Sequence, residues 1–312
     1  MSDTVMQTIQ AQDYGGPEVL VPAQVPLPEP NADQVLIQLK AAGVNPADWK
    51  YRSGAFKQFV PLQFPWTPGM EGAGNVQAVG LNVTGFKKGQ AVYGIVTGGY
   101  AEYALAQAGD IQPKPESITF EEAASLPVGV LTAWAAVIDT ANVQAGQSVL
   151  VHGGAGGVGV YAVQLARWKG AHVTTTVSAK NVEFVRSLGA ENVIDYNATR
   201  FEYVVKGMDV VIDTVGGDLH ARSFQVIHPG GIFVTVAGRL AEDAGRAQNI
   251  RAASAGRAPT ENLKKINELI EAGQLKPVAG TLFPLEQARQ AQELSQTGHG
   301  RGRIILQMGK NK

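Results

Sequence analysis

The chain has 312 residues, 45% of them hydrophobic, with 26 Lys and Arg against 27 Asp and Glu. It can bury a sizeable core and divide into two domains, and no charge excess draws it to nucleic acid or an anionic membrane. Cysteine is absent, which excludes disulfides, thiolate zinc sites, iron–sulfur clusters and a cysteine nucleophile.

The start, MSDTVMQTIQAQDY, shows no basic region followed by an apolar run, and no segment approaches the ~20 apolar residues that span a bilayer. The expectation is a cytoplasmic protein acting on a small molecule. Up to about residue 110 the chain reads as short β-rich runs, DQVLIQLKAAGV, GAGNVQAVG, QAVYGIV and GGYAEYALA, joined by turns at GGPE, PLPEPN and VTGFKKGQ. Between the first two runs lies AAGVNPADWKYRSG, where Asn before Pro46 initiates a turn. From Thr119 the period becomes helical in FEEAASLPVGVLTAWAAVIDTA, with Glu121 and Glu122 suited to a first turn.

Five apolar runs follow, SVLVHG, AHVTTTV, NVID, MDVVIDTV and GIFVTVAG, with helical patterns after the first, second and fourth. That alternation predicts a doubly wound parallel sheet wrapped by helices. The segment RLAEDAGRAQNIRAASAGRAP is arginine-rich and aperiodic, and reads as a long excursion ordered at an interface. NLKKINELIEAG predicts a helix, VAGTLFP a strand, PLEQARQAQELSQTG a helix and RGRIILQM a last strand.

Within HGGAGGVGVYAVQLARWKG, Gly154, Gly156 and Gly159 satisfy G-x-G-x-x-G between a strand and an amphipathic helix. In that setting the glycines allow a tight turn, close approach of backbone N–H groups to a pyrophosphate, and helix packing, so residues 154–159 (Gly154, Ala155, Gly156, Gly157, Val158 and Gly159) are cofactor candidates. An acid near the end of the second strand would grip a ribose 2′-hydroxyl. None stands between His172 and Val182; Ser178 and Lys180 suit a 2′-phosphate instead, which favours NADPH.

Taken together, GGPEVL, AAGVNPADWKYRSG, PGMEGAGNVQAVG, LPVGVLTAWAAV, VLVHGGAGGVG, SLGAENVIDY and GRGRIIL resemble the medium-chain dehydrogenase/reductase superfamily, in its zinc-free quinone oxidoreductase branch. The resemblance implies an α/β architecture: a central Rossmann domain over residues 123–259, and a β-rich GroES-like catalytic domain over 1–122 with 260–312. It places Asn45 where zinc-dependent relatives keep a cysteine and Met70 where they keep a histidine. His152, His172, His220, His228 and His299 show no ligand spacing.

By the resemblance Asn45 holds the nicotinamide ribose or a substrate carbonyl, while its own residue type also explains a turn. Lys50 offers a proton and a positive charge in place of a metal, or is a solvated lysine. Asp48 orients Lys50 or caps the following turn, Trp49 packs, and Tyr51 and Phe56 are further wall residues, Tyr51 being the alternative proton donor. Thr132, Tyr196, Val236 and Ala237 match cofactor-contact positions, and Gly302 to Ile304 line the cleft. Asp209 and Asp213, on the fourth run, read as structural. The implied activity is zinc-free transfer of hydride from NADPH to quinones or α,β-unsaturated carbonyls. A non-catalytic NADPH-binding protein, structural or regulatory, is the alternative. The branch commonly pairs through Rossmann domains, so a homodimer is expected.

Overall fold

The structure is a computed structural model that describes residues 5–241 and 243–309; the first four residues of the start read above for a leader lie outside them. Contacts divide the chain into two units. One comprises Met1–Val128, Thr260–Glu271 and Pro277–Lys312, the other Gly129–Pro259 and Ala272–Lys276.

The first unit begins with an antiparallel pair that the sequence reading did not separate out, β1 (Val5–Ala11) and β2 (Leu20–Pro26). Then come β3 (Gln34–Val44), helix α1 (Pro46–Arg52), β4 (Glu71–Val79), β5 (Ala91–Ile95), β6 (Tyr103–Gln107) and β7 (Ile111–Pro113). β3 is the hub of the sheet. It runs antiparallel along β4, while Gln34–Gln38 pair with β6. Ile37, Leu39, Val76, Val92, Tyr100 and Ile111 are buried on this framework, each apolar side chain contributing about 2 kcal/mol.

Helix α2 (Phe120–Ala124) carries Glu121 and Glu122 in its first turn, as expected, and is closed by a capping box. Thr119 accepts from the Glu122 N–H at 3.1 Å and Glu122 accepts from the Thr119 N–H at 2.8 Å. The apolar helical run is not continuous, because Pro127 has no N–H to extend α2 and instead opens α3 (Pro127–Trp134), which widens into a π-helical turn over Ala135–Thr140.

The second unit holds β8 (Ser148–His152), α4 (Gly159–Trp168), β9 (His172–Val177), α5 (Val182–Ser187), β10 (Asn192–Asp195), α6 (Phe201–Val204), β11 (Met208–Asp213), α7 (Leu219–Ser223), β12 (Ile227–Thr235) and β13 (Arg251–Ser254). All its strands are parallel, in the order β10-β9-β8-β11-β12-β13. Val149, Leu150, Val151, Val210, Val211 and Ile212 are fully or almost fully buried, as a parallel sheet covered on both faces requires. Among the described residues the sheet has six strands where five runs were predicted. The arginine-rich segment is no simple excursion: Arg251–Ser254 pair with Ile232–Thr235, and pairing with a neighbour rather than side-chain periodicity makes that strand.

The chain then returns to the first unit through α8 (Leu263–Glu271), β14 (Ala279–Pro284), α9 (Ala288–Gln296) and β15 (Arg303–Gln307). β15 lies antiparallel to the end of β3, with Ile304 opposite Val44.

Candidate active site

At the end of β3 the backbone stays extended through Asn45, with ψ 148°, and Pro46 starts α1. Asp48, at the third helical position, accepts from the Asn45 N–H at 2.8 Å, which satisfies a donor the helix itself cannot. The register of β15 against β3 brings Arg303 beside Asn45, and the start of β4 brings Glu71. Asn45 Nδ2 donates to Glu71 Oε1 at 2.7 Å and its Oδ1 accepts from Arg303 Nη2 at 2.7 Å. Arg303 and Glu71 are themselves paired, and Glu71 Oε2 accepts from the Val128 N–H at 2.7 Å. All three side chains are buried. Gly43 makes room for the carboxylate, since a Cβ there would lie 2.2 Å from Glu71 Oε1.

The fixed positive charge beside Asn45 is therefore Arg303, not Lys50. The half-buried Lys50 rests its ammonium 5.5 Å from the centroid of the Trp49 ring, and among the described residues it has no carboxylate partner and no hydrogen-bond acceptor. Asp48 does not orient Lys50. Its Oδ2 is taken by the Asn45 N–H and, at 3.0 Å, by Tyr100 OH. Burial pushes its carboxyl up to about 7, opposed by those two hydrogen bonds; Glu71 adds to the rise and Arg303 opposes it. Tyr51 meets Phe56 edge-on at 5.2 Å and Trp66 at 6.4 Å. Arg52, buried at the end of α1, donates to Gln292 Oε1 at 2.7 Å and to the Gly15 carbonyl at 2.6 Å.

In the second unit, residues 153–158 turn directly from β8 into α4. The glycines divide by what surrounds them. A Cβ on Gly154 would strike Thr175 Oγ1 at 2.0 Å and one on Gly159 the Gly153 carbonyl at 2.1 Å, so these two are demanded by packing. At Gly156 the nearest atom is the Gly153 carbonyl at 3.3 Å. That glycine keeps a space the protein does not fill, which fits a pyrophosphate lying close to the backbone at the head of α4. Ala155 is buried, and the Val158 carbonyl accepts from the Tyr161 and Ala162 N–H groups.

The register of β9 with β10 sets Val177 opposite Asp195, and the Tyr196 N–H donates to the Val177 carbonyl at 3.1 Å. Ser178, Lys180 and the half-exposed Tyr196 thus share the C-terminal edge of these strands. Val236 and Ala237 follow β12 and are braced from below. Asp213 Oδ1 accepts from the Val215 and Gly216 N–H groups, both at 3.0 Å. Its Oδ2 accepts from Thr235 Oγ1 at 2.8 Å and contacts His220 Nε2 at 3.0 Å. Thr235 Oγ1 in turn accepts from the Ala237 N–H at 3.0 Å. Asp209 accepts from the Ser148 N–H at 2.8 Å and pairs with His228. Both carboxylates are engaged in holding loops and strands. Thr132 lies half-buried on α3.

Two families match the chain: the alcohol dehydrogenase GroES-like domain over residues 31–116 and zinc-binding dehydrogenase over residues 188–306. A quinone oxidoreductase of Mus musculus is 35% identical over 97% of this chain and 98% of its own length. The chain belongs to the zinc-independent quinone oxidoreductase branch of the medium-chain dehydrogenase/reductase superfamily. A 2-methylene-furan-3-one reductase of Solanum lycopersicum is 35% identical over 94% of this chain and 77% of its own length. The solved quinone oxidoreductase of Coxiella burnetii superposes with a TM-score of 0.90 at 35% identity, covering 97% of this chain and 99% of that one.

This member of the branch is an NAD(P)-dependent oxidoreductase acting on a small molecule. When bound, its nicotinamide supplies the hydride. The backbone of residues 153–159, with the open space at Gly156, fits the pyrophosphate of such a cofactor. Among the described residues no group of three or more His, Cys, Asp or Glu is placed to hold a metal ion, and no helix is long and apolar enough to cross a membrane.

Sequence reasoning passed over Glu71 and met Arg303 only inside a stretch said to line the cleft. Glu71 carried a signal: it is a lone carboxylate at the head of the small-residue run GAG in β4, a place where a charge is rarely left without a partner. Nothing local pointed to Arg303 as that partner.

Proposed function

We propose that this chain uses NADPH to reduce quinones and short α,β-unsaturated carbonyls, with Lys50 as the proton donor to the oxygen that gains charge. The observation that carries the reading is the Lys50 ammonium, half-buried over Trp49 and without a carboxylate partner among the described residues, five residues after the hydrogen-bonded Asn45. Hydride arriving at the β-carbon of an enone, or at a quinone ring, leaves negative charge on an oxygen. An unpaired ammonium can stabilise that charge and then protonate it. Asn45 keeps one amide hydrogen and one lone pair for a ribose hydroxyl or the acceptor carbonyl. The NADPH preference is supported by Ser178, Lys180 and Tyr196 at the edge of β9 and β10, with no acid between His172 and Val182.

Steady-state kinetics with a 1,4-naphthoquinone, a 2-alkenal and a cyclic enone test the reading. Lys50→Ala is expected to lower enone turnover about tenfold or more with the KM for NADPH unchanged; undiminished turnover removes Lys50 from the mechanism. Lys180→Glu is expected to turn a preference for NADPH into one for NADH, and equal use of both cofactors by the parent protein defeats the NADPH assignment. NADPH binding with no oxidation against the whole acceptor panel would instead favour a non-catalytic role.

A further inference from the structure

An asparagine amide has two unlike ends, two N–H donors on Nδ2 and two lone pairs on Oδ1, and a half-turn about its last bond exchanges them. At Asn45 the neighbours allow only one choice. The Glu71 carboxylate accepts and the Arg303 guanidinium donates, so Nδ2 faces Glu71 and Oδ1 faces Arg303, each at 2.7 Å. The flipped amide would set N–H against guanidinium and oxygen against carboxylate. Both neighbours are immobilised. Glu71 is fully buried, paired to Arg303 and held by the Val128 N–H. Arg303 is 4% exposed on β15, in register with the end of β3. Through the Val128 N–H the same carboxylate is also held by the backbone that opens α3.

We propose that Glu71 and Arg303 are positioning residues for the reaction: they lock the Asn45 amide one way round, and so decide which of its ends the bound molecule meets. They act through Asn45 and touch no substrate. A buried ion pair of this kind is often replaceable by neutral groups at little cost to the fold, and its best-attested use is to specify one arrangement over another. Glu71 and Arg303 supply that specification here, at a group whose two ends would otherwise compete.

The inference rests on the reading that Asn45 contacts cofactor or acceptor, and Asn45→Ala tests that reading alone. A folded Asn45→Ala enzyme with unchanged kcat and unchanged KM for both NADPH and the acceptor overturns the reading, and the inference with it. Where Asn45→Ala raises one KM, the double variant Glu71→Gln/Arg303→Met removes both charges together and leaves neither stranded. It is expected to raise that same KM about three- to tenfold, and adding Asn45→Ala to it should cost nothing further. An unchanged KM in the folded double variant, or full additivity with Asn45→Ala, overturns the positioning role while the Asn45 reading stands. A purely structural pair would lower the thermal midpoint without moving that KM. If the double variant does not fold, Arg303→Lys is read in its place, since it keeps the charge and loses the planar fork. A few-fold rise in the same KM is expected, and no rise overturns the proposal.

Discussion

The two units solve the same problem, a polar group buried at the end of a strand, by different means. In the first, Asn45 is held by an ion pair whose members are 26 and 258 residues away along the chain. In the second, Asp213 is held by two backbone N–H groups, a threonine and a histidine, all within 22 residues of it. A set of neutral donors can rearrange when one member changes, because a hydroxyl rotates and an imidazole switches tautomer. A charge pair cannot, because each charge depends on the other.

The largest expected effect tests that contrast directly. Arg303→Ala leaves Glu71 buried without its counter-charge and is expected to cost roughly 3–5 kcal/mol. Asp213→Asn keeps an acceptor for the loop N–H groups, and His220 can reverse its tautomer to receive the new amide, so roughly 1–3 kcal/mol is expected. Hydrogen exchange resolved by peptide reports each unit separately, and equal losses would erase the distinction.

A smaller effect separates packing from binding within the second unit. Gly159→Ala forces a Cβ to within 2.1 Å of a carbonyl, whereas Gly156→Ala meets nothing nearer than 3.3 Å. The first is expected to destabilise the fold by about 1–3 kcal/mol. The second should hold its thermal midpoint while the KM for NADPH rises about tenfold, as expected where a backbone must approach a pyrophosphate. Loss of stability without loss of cofactor affinity at Gly156 would show that the gap is not a phosphate seat.

The two units also differ in their pH slopes, which run in opposite directions. Burial raises Asp48 from 3.8 to about 7, so the folded state binds the extra proton; its contribution is fully present below about 3.8 and is lost as pH rises towards 7. His152 is lowered from 6.5 to about 4, chiefly by burial, with Asp213 and Glu202 opposing and Arg222 adding to the fall. The unfolded chain then binds the extra proton, and stability is lost as pH falls from 6.5 to 4. Between pH 4 and 6.5 acidification therefore favours the first unit through Asp48 and weakens the second through His152. Asp48→Asn and His152→Gln should each flatten one slope, a change of about 2–4 °C in midpoint per kcal/mol. Parallel slopes in the two variants would contradict the assignment.

Much of the second unit was legible. SVLVHG and MDVVIDTV are apolar on both faces and bounded by glycine, which marks buried parallel strands, and the glycine cluster stands where a strand meets a helix. Arg251–Ser254 were not legible, because an edge strand exposed on one side has no pattern of its own and exists through its pairing with β12. In the first unit the turn at Asn45 was legible from its place before Pro46, which opens α1. Its setting was not: a local reading gave Asp48 two possible duties, and burial beside Tyr100 with a bond to the Asn45 N–H settles on the cap.

By itself, then, the sequence determined the doubly wound sheet, the glycine loop at its centre and the absence of thiolate metal chemistry, because these depend on short periods and on residues that are simply absent. Only the tertiary structure decided that Arg303, and not Lys50, is the charge fixed beside Asn45, and that Glu71 completes the set. Those three residues meet through the register of β15 and β4 against β3, and strand register is settled by the burial of whole sheet faces, which no short stretch of chain contains.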